Sequence, residues 1–88
     1  LVSIIHGHNE VGTLQPVAEL AQTAHRYGAL FHTDAAQTAG KLPILLDETW
    51  SAVDYMTVSG HKCYGPKGVG ALYISPTATM PKPLLCGG

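Results

Sequence analysis

Three runs decide the fold: Leu1-Val2-Ser3-Ile4-Ile5, then Pro16-Val17-Ala18-Glu19-Leu20-Ala21-Gln22-Thr23-Ala24-His25-Arg26-Tyr27-Gly28, then Ala29-Leu30-Phe31-His32-Thr33-Asp34. The first is continuously apolar with β-branched members and ends in the polar, glycine-rich His6 to Gly12, the pattern of a buried strand running into a loop. In the second, Pro16 can open a helix at its first position, Leu20, Ala21, Ala24 and Tyr27 recur at three- and four-residue spacing, and Gly28 suits the C-terminal cap. The spacing predicts a helix from about Pro16 to Tyr27 with Leu20, Ala24 and Tyr27 as its core stripe. Ala29 to Thr33 reads as a second strand ending at Asp34. Strand, helix and strand with both strands apolar make a βαβ unit, hence an α/β fold with a parallel sheet covered on both faces.

Outward from that unit, Pro43 and Trp50 lie in a less regular stretch, Asp54 to Val58 reads as a strand, and Gly70 to Ser75 as another. Gly65-Pro66-Lys67-Gly68 lacks the spacing of a nucleotide-binding phosphate loop and reads as a tight turn into the last strand. Pro76, Pro81 and Pro83 mark an extended connection. In parallel sheets ligands bind beyond the carboxyl ends of the strands, and here His8-Asn9, Asp34 and Ser59-Gly60-His61-Lys62 each follow a strand. Three polar groups are thereby expected at one sheet edge. Lys62, at the end of an apolar run and among glycines, is poorly explained by packing and reads as a lysine placed to form a Schiff base.

At 45% hydrophobic and 12% charged, against roughly 25% charged for an average soluble domain, the chain has few charges to cover a surface of its own. It also starts inside a strand-like run and stops at Gly87-Gly88, so residues 1–88 are expected to be an incomplete segment of one larger domain. Net charge is −1, and Arg26, Lys41, Lys62, Lys67 and Lys82 are dispersed, which leaves no electrostatic footprint for nucleic acid. No apolar run approaches the roughly 20 residues of a bilayer span, so no membrane partner is expected. Cys63 and Cys86 form no CxxC pair, which argues against a disulfide framework or a cysteine-rich zinc site. The five histidines could be counted as a metal cluster, with His6 and His8 on one face of an extended segment, but no acidic or sulfur partner stands near them. His25 is expected to face solvent, and His32 to be a hydrogen-bonded core residue.

Asn9-Glu10-Val11-Gly12-Thr13, His32-Thr33-Asp34-Ala35-Ala36-Gln37 and Ser59-Gly60-His61-Lys62, with Tyr64-Gly65-Pro66-Lys67-Gly68 behind them, resemble the cysteine desulfurase family, and the resemblance covers essentially the whole chain. These are pyridoxal-phosphate enzymes of the class V aminotransferase type. The resemblance implies the large domain of the aspartate-aminotransferase-like fold, called fold type I, with a mainly parallel sheet and helices on both faces. It implies that Lys62 holds pyridoxal 5'-phosphate as a Schiff base and then serves as general acid and base. Asp34 would pair with the pyridinium nitrogen, Asn9 and Gln37 would donate to the phenolate oxygen, and Ser59 and His61 would contact the phosphate.

The activity implied is conversion of cysteine to alanine, with sulfur passed to an enzyme cysteine outside this segment. The ring-stacking histidine, the upstream phosphate loop and the downstream carboxylate-binding arginine of such enzymes also lie outside it. The isolated segment is expected to be inactive. Selenocysteine lyase and other class V enzymes share these anchoring residues, and a non-catalytic remnant or a histidine metal module are the readings from other classes. A homodimeric parent, a sulfur-acceptor protein and a cytoplasmic or mitochondrial location follow from the same resemblance. Many family members carry a second asparagine where this chain has His8, which could alter substrate preference or point outward. Cys63 stands where a larger residue is common and is expected to pack as a small hydrophobe.

Overall fold

A computed structural model describes residues 1–87. It contains β1 (Val2–Ile5), α1 (Val17–Arg26), β2 (Phe31–Asp34), β3 (Tyr55–Ser59), a 3-10 turn (Gly60–Cys63) and β4 (Gly70–Ile74). The strands form one sheet in the order β1-β2-β3-β4. Both β1–β2 and β2–β3 are parallel, whereas β4 returns antiparallel along β3. The α/β reading and the mainly parallel sheet hold. Every strand run expected from the sequence is present, with ends displaced by at most two residues.

Parallel neighbours cannot be joined by a tight turn, so each needs a crossover long enough to return the chain to the same end. The first is α1. Val17, Ala21 and Ala24 are its buried residues, at the four- and three-residue spacing that places them on one stripe. They join Phe31, Ala35, Trp50, Val53 and Met56 in a single core cluster. The expected stripe is corrected on this point: Leu20 is half-buried and Tyr27 is 86% exposed. Tyr27 caps the helix rather than continuing it, and Gly28 takes φ +71°, so the chain turns away before the ring can reach the core. Pro16 likewise sits one position before the first helical residue and caps the helix at its start.

The second crossover, Ala35 to Asp54, has no regular helix but buries Trp50 and Val53 in the same cluster. Among the described residues both crossovers supply one core, and the sheet is not covered on both faces. Leu1, Leu30, His32, Tyr55, Leu72 and Pro81 line an open groove on the other side. His32 lies there half-buried. Its Nδ1 is 2.7 Å from Ser3 Oγ and its Nε2 is 2.7 Å from Thr57 Oγ1, which ties β1, β2 and β3 together by side chains. The expected hydrogen-bonded histidine is borne out, though it lies on the open face rather than in the core.

Asp54 is 4% exposed and has two partners at 2.7 Å: its Oδ2 accepts the Phe31 backbone N–H and meets His25 Nε2. His25 is therefore not merely solvent-facing, because its ring ties the last turn of α1 to the starts of β2 and β3. The backbone repeats the link through Asp54 N–H to Phe31 O at 3.0 Å. Burying a carboxylate is costly unless donors compensate it. Asp54→Ala leaves the buried Phe31 N–H unpaired and is expected to lower the unfolding free energy of the protein carrying this segment by about 2–3 kcal/mol, read by chemical denaturation. Thr33 Oγ1 shows the opposite situation: it is buried at 0% exposure and has no hydrogen-bond partner. Thr33→Val removes that unpaired hydroxyl at nearly constant shape and is expected to raise stability by about 1 kcal/mol in the same measurement.

Candidate functional site

Register determines where the chemistry collects. Ile5 pairs with Asp34, and Asp34 with Thr57, so the segments that follow β1, β2 and β3 leave the sheet at one edge. Asp34 and Ser59 end β2 and β3, and Asn9, Gln37, His61 and Lys62 lie on the segments that follow, so the expected convergence on one edge is what the register produces.

After β1 the chain forms a compact loop. His8 N–H donates to Thr13 O at 3.0 Å and Gly12 N–H to His8 O at 3.1 Å. The His8 ring folds onto this loop, where Nδ1 accepts the Glu10 and Val11 amides at 3.1 and 3.4 Å. That pattern assigns the hydrogen of a neutral His8 to Nε2. The His8 side chain therefore folds onto its own loop rather than pointing outward, and Asn9 beside it is exposed. His6 has different neighbours altogether. It is 8% exposed, its ring meets Trp50 edge-on with centroids 4.7 Å apart, and its Nδ1 is 2.7 Å from Thr38 Oγ1. The two rings do not share a set of partners, contrary to an extended His6-Gly7-His8 segment, and among the described residues no three metal-ligating side chains gather.

Asp34 ends β2 half-buried, and its Oδ1 accepts the Ala36 amide at 2.9 Å. This is the turn-forming role typical of an aspartate after a strand. Its Oδ2 has no hydrogen-bond partner among the described residues and stays available to a cation. Gln37 lies half-buried in the turn that follows.

After β3, Ser59 Oγ and His61 Nδ1 are 2.9 Å apart, and Lys62 follows on the 3-10 turn. With the Ser59 hydroxyl donating to Nδ1, the imidazole Nε2–H is free to donate to an anion. Lys62 is half-buried, and no carboxylate lies within 4.0 Å of it among the described residues. The turn is held by backbone contact. A Cβ on Gly65 would stand 2.8 Å from Gly60 O, and one on Gly60 would stand 2.6 Å from Val69 Cγ1, so the two glycines let the chain fold back on itself behind Lys62. Between them Tyr64 adopts the left-handed conformation at φ 62°, which costs a non-glycine residue about 1 kcal/mol. Cys63 is not simply a small hydrophobe: its thiol donates to Ala39 O at 2.9 Å and joins the lysine turn to the segment after Asp34.

A class-V aminotransferase family profile matches residues 1–88. The chain belongs to that family. It is 51% identical over its full length to a cysteine desulfurase, IscS, of Dictyoglomus turgidum, and 47% identical to a mitochondrial cysteine desulfurase of Eremothecium gossypii. It spans 22% and 18% of those proteins. Among solved structures it superposes on a NifS-like protein of Rickettsia africae with a TM-score of 0.85 at 38% identity, covering 98% of this chain and 23% of that one. A structure described as SspA in complex with cysteine also gives a TM-score of 0.85, at 44% identity and with 98% of this chain against 24% of that one.

Class-V aminotransferases are pyridoxal-phosphate enzymes, and the donor set of the site fits that cofactor. A pyridine nitrogen calls for a carboxylate with a free oxygen, an aldehyde for an amine without an acid partner, and a phosphate for hydroxyl and imidazole donors. Asp34, Lys62 and the Ser59–His61 pair are groups of these kinds and would supply them in turn.

Two residues outside the sequence-derived set, His6 and Thr38, join the loop after β1 to the turn after β2. The available signal was Gly7, where a Cβ would come 2.5 Å from Thr38 Cγ2. Burial lowers the His6 pKa below its ordinary 6.5 through loss of hydration of the charged ring. Folding therefore favours neutral His6. Its contribution to stability is full above pH 6.5 and is lost as pH falls below 6.5 toward the lowered folded-state value. An NMR titration of the His6 ring in the full-length protein should give a midpoint under 6.5, and His6→Asn should flatten the fall of stability between pH 7.5 and 5.5; a midpoint at or above 6.5 contradicts the burial argument.

Proposed function

We propose that residues 1–88 are the cofactor-anchoring part of the large domain of a pyridoxal-phosphate-dependent cysteine desulfurase, a fold type I enzyme whose remaining chain covers the open sheet face. The observation that carries this reading is the delivery of Lys62, Asp34 and the Ser59–His61 pair to one edge of a parallel sheet by strand register. The 51% identity to a cysteine desulfurase supports the choice of reaction. The substrate is then cysteine and the products alanine and a sulfur atom carried by a cysteine elsewhere in the protein. A homodimer, a sulfur-acceptor protein and a cytoplasmic or mitochondrial setting belong to the same proposal; no helix among the described residues is long and apolar enough to cross a membrane.

When bound, pyridoxal 5'-phosphate supplies an electron sink for the bond broken at the substrate α-carbon. The chain's own residues do the rest. Lys62 Nζ would be the covalent anchor, and as a free amine it would carry the proton to and from the α-carbon. The free Asp34 oxygen would pair with a protonated ring nitrogen, while Ala36 N–H keeps the other oxygen in place. Asn9 and Gln37, on the segments after β1 and β2, would donate to the phenolate. Ser59 and His61 would hold the phosphate, and their mutual hydrogen bond pre-aligns the two groups for an anion.

In the full-length protein, visible absorbance of the bound cofactor and a borohydride-stable adduct on Lys62 are expected. Lys62→Ala should remove the adduct and reduce alanine formation from cysteine by at least about a thousandfold, in line with loss of a general acid–base group together with the covalent anchor. Retention of the reduced adduct in Lys62→Ala sinks the assignment.

A further inference from the structure

We propose that His6 is a positioning residue for the cofactor's phenolate grip, acting through its hydrogen bond to Thr38. This inference rests on the reading of the site given above, but its geometry concerns only the chain's own residues. Asn9 and Gln37 lie on different segments, one after β1 and one after β2, and no hydrogen bond connects those two side chains among the described residues. Two residues that must donate to one oxygen atom need their backbones held in a constant relation. His6 is the residue that clasps both segments.

Its backbone N–H donates to Asp34 O at 2.9 Å, extending the β1–β2 ladder by one bond into the site. Its carbonyl accepts Gln15 N–H at 2.8 Å, which closes the base of the loop carrying Asn9. Its side chain reaches Thr38, the neighbour of Gln37, at 2.7 Å. Thr38 is in turn fixed by its amide to Ala35 O at 3.0 Å, so the bond acts on the whole turn from Asp34 to Thr38. Both partners are buried, at 8% and 4% exposure, where a broken bond is not replaced by water. Trp50 meets the ring edge-on, and the absence of a Cβ at Gly7 admits Thr38 Cγ2. A bond supported this way has little freedom to adjust.

The test uses the full-length protein and three variants. Thr38→Val removes the hydroxyl at constant shape, and His6→Phe keeps an aromatic ring against Trp50 without a polar atom. His6→Asn places an amide near the Nδ1 position and can keep the bond. In the cofactor-free protein, amide hydrogen exchange at Glu10, Val11 and Ala36 to Ala39 should rise about three- to tenfold in Thr38→Val and His6→Phe and stay near the unsubstituted rate in His6→Asn. On reconstitution, pyridoxal-phosphate affinity should fall about three- to tenfold in the first two, with a changed visible circular dichroism band, and recover in His6→Asn.

Faster exchange with unchanged cofactor affinity and spectrum overturns the proposal, because His6 is then a structural clasp alone. Unchanged exchange in Thr38→Val overturns it too. Failure of the unsubstituted protein to bind pyridoxal phosphate is a different result: it removes the functional reading itself, and is seen before any variant is made.

Discussion

Parallel pairing sets Ile5, Asp34 and Thr57 side by side across β1, β2 and β3, and each strand hands its successor to the same edge. A one-residue slip of β2 would move Asp34 to the other face, because side chains alternate along a strand. The slip is opposed on both sides of the sheet. On the core face, Phe31, Thr33 and Met56 are buried under α1 and the second crossover. On the open face, His32 holds Ser3 and Thr57 at 2.7 Å each. Position of the chemistry is thus a consequence of backbone register.

Buried polar groups in this chain divide by whether they are answered. Asp54 and His6 are answered, by Phe31 and His25 in one case and by Thr38 in the other, and each ties two elements together. Thr33 is not answered. The half-buried Lys62 and Asp34 differ again: each keeps bonding capacity that no described residue uses. Spare capacity is a cost in a structural residue and a requirement in one that receives a ligand.

The backbone around Lys62 follows the same economy. Gly60 and Gly65 approach within distances no side chain allows, and Tyr64 accepts a left-handed conformation between them. Close backbone approach and one left-handed residue thus fix the turn on which Lys62 sits. The Cys63 thiol and the His6 imidazole carry that rigidity to the turn after β2 and to the loop after β1.

Much of this was legible in the residues. Apolar runs of strand length, a helix ending at Gly28 and polar groups after each strand imply a parallel sheet with a site at its carboxyl edge, because backbone pairing and hydrophobic periodicity are local rules. Lys62, Asp34, Asn9, Gln37, Ser59 and His61 each stand in a motif that marks them as site candidates. The placements of Tyr27, His25 and His6 were not legible. Helical spacing put Tyr27 on the core stripe, but a glycine-enabled turn sends it into solvent; His25 sits on a polar stretch, yet a buried carboxylate 29 positions away claims its ring. His6 looks like a loop residue until Thr38, 32 positions on, is brought beside it. Sequence alone determined which residues are strand, helix and candidate donor, since those depend on near neighbours. Tertiary structure alone decided which buried groups find partners, because hydrogen bonds between distant residues exist only after the sheet has set their distance.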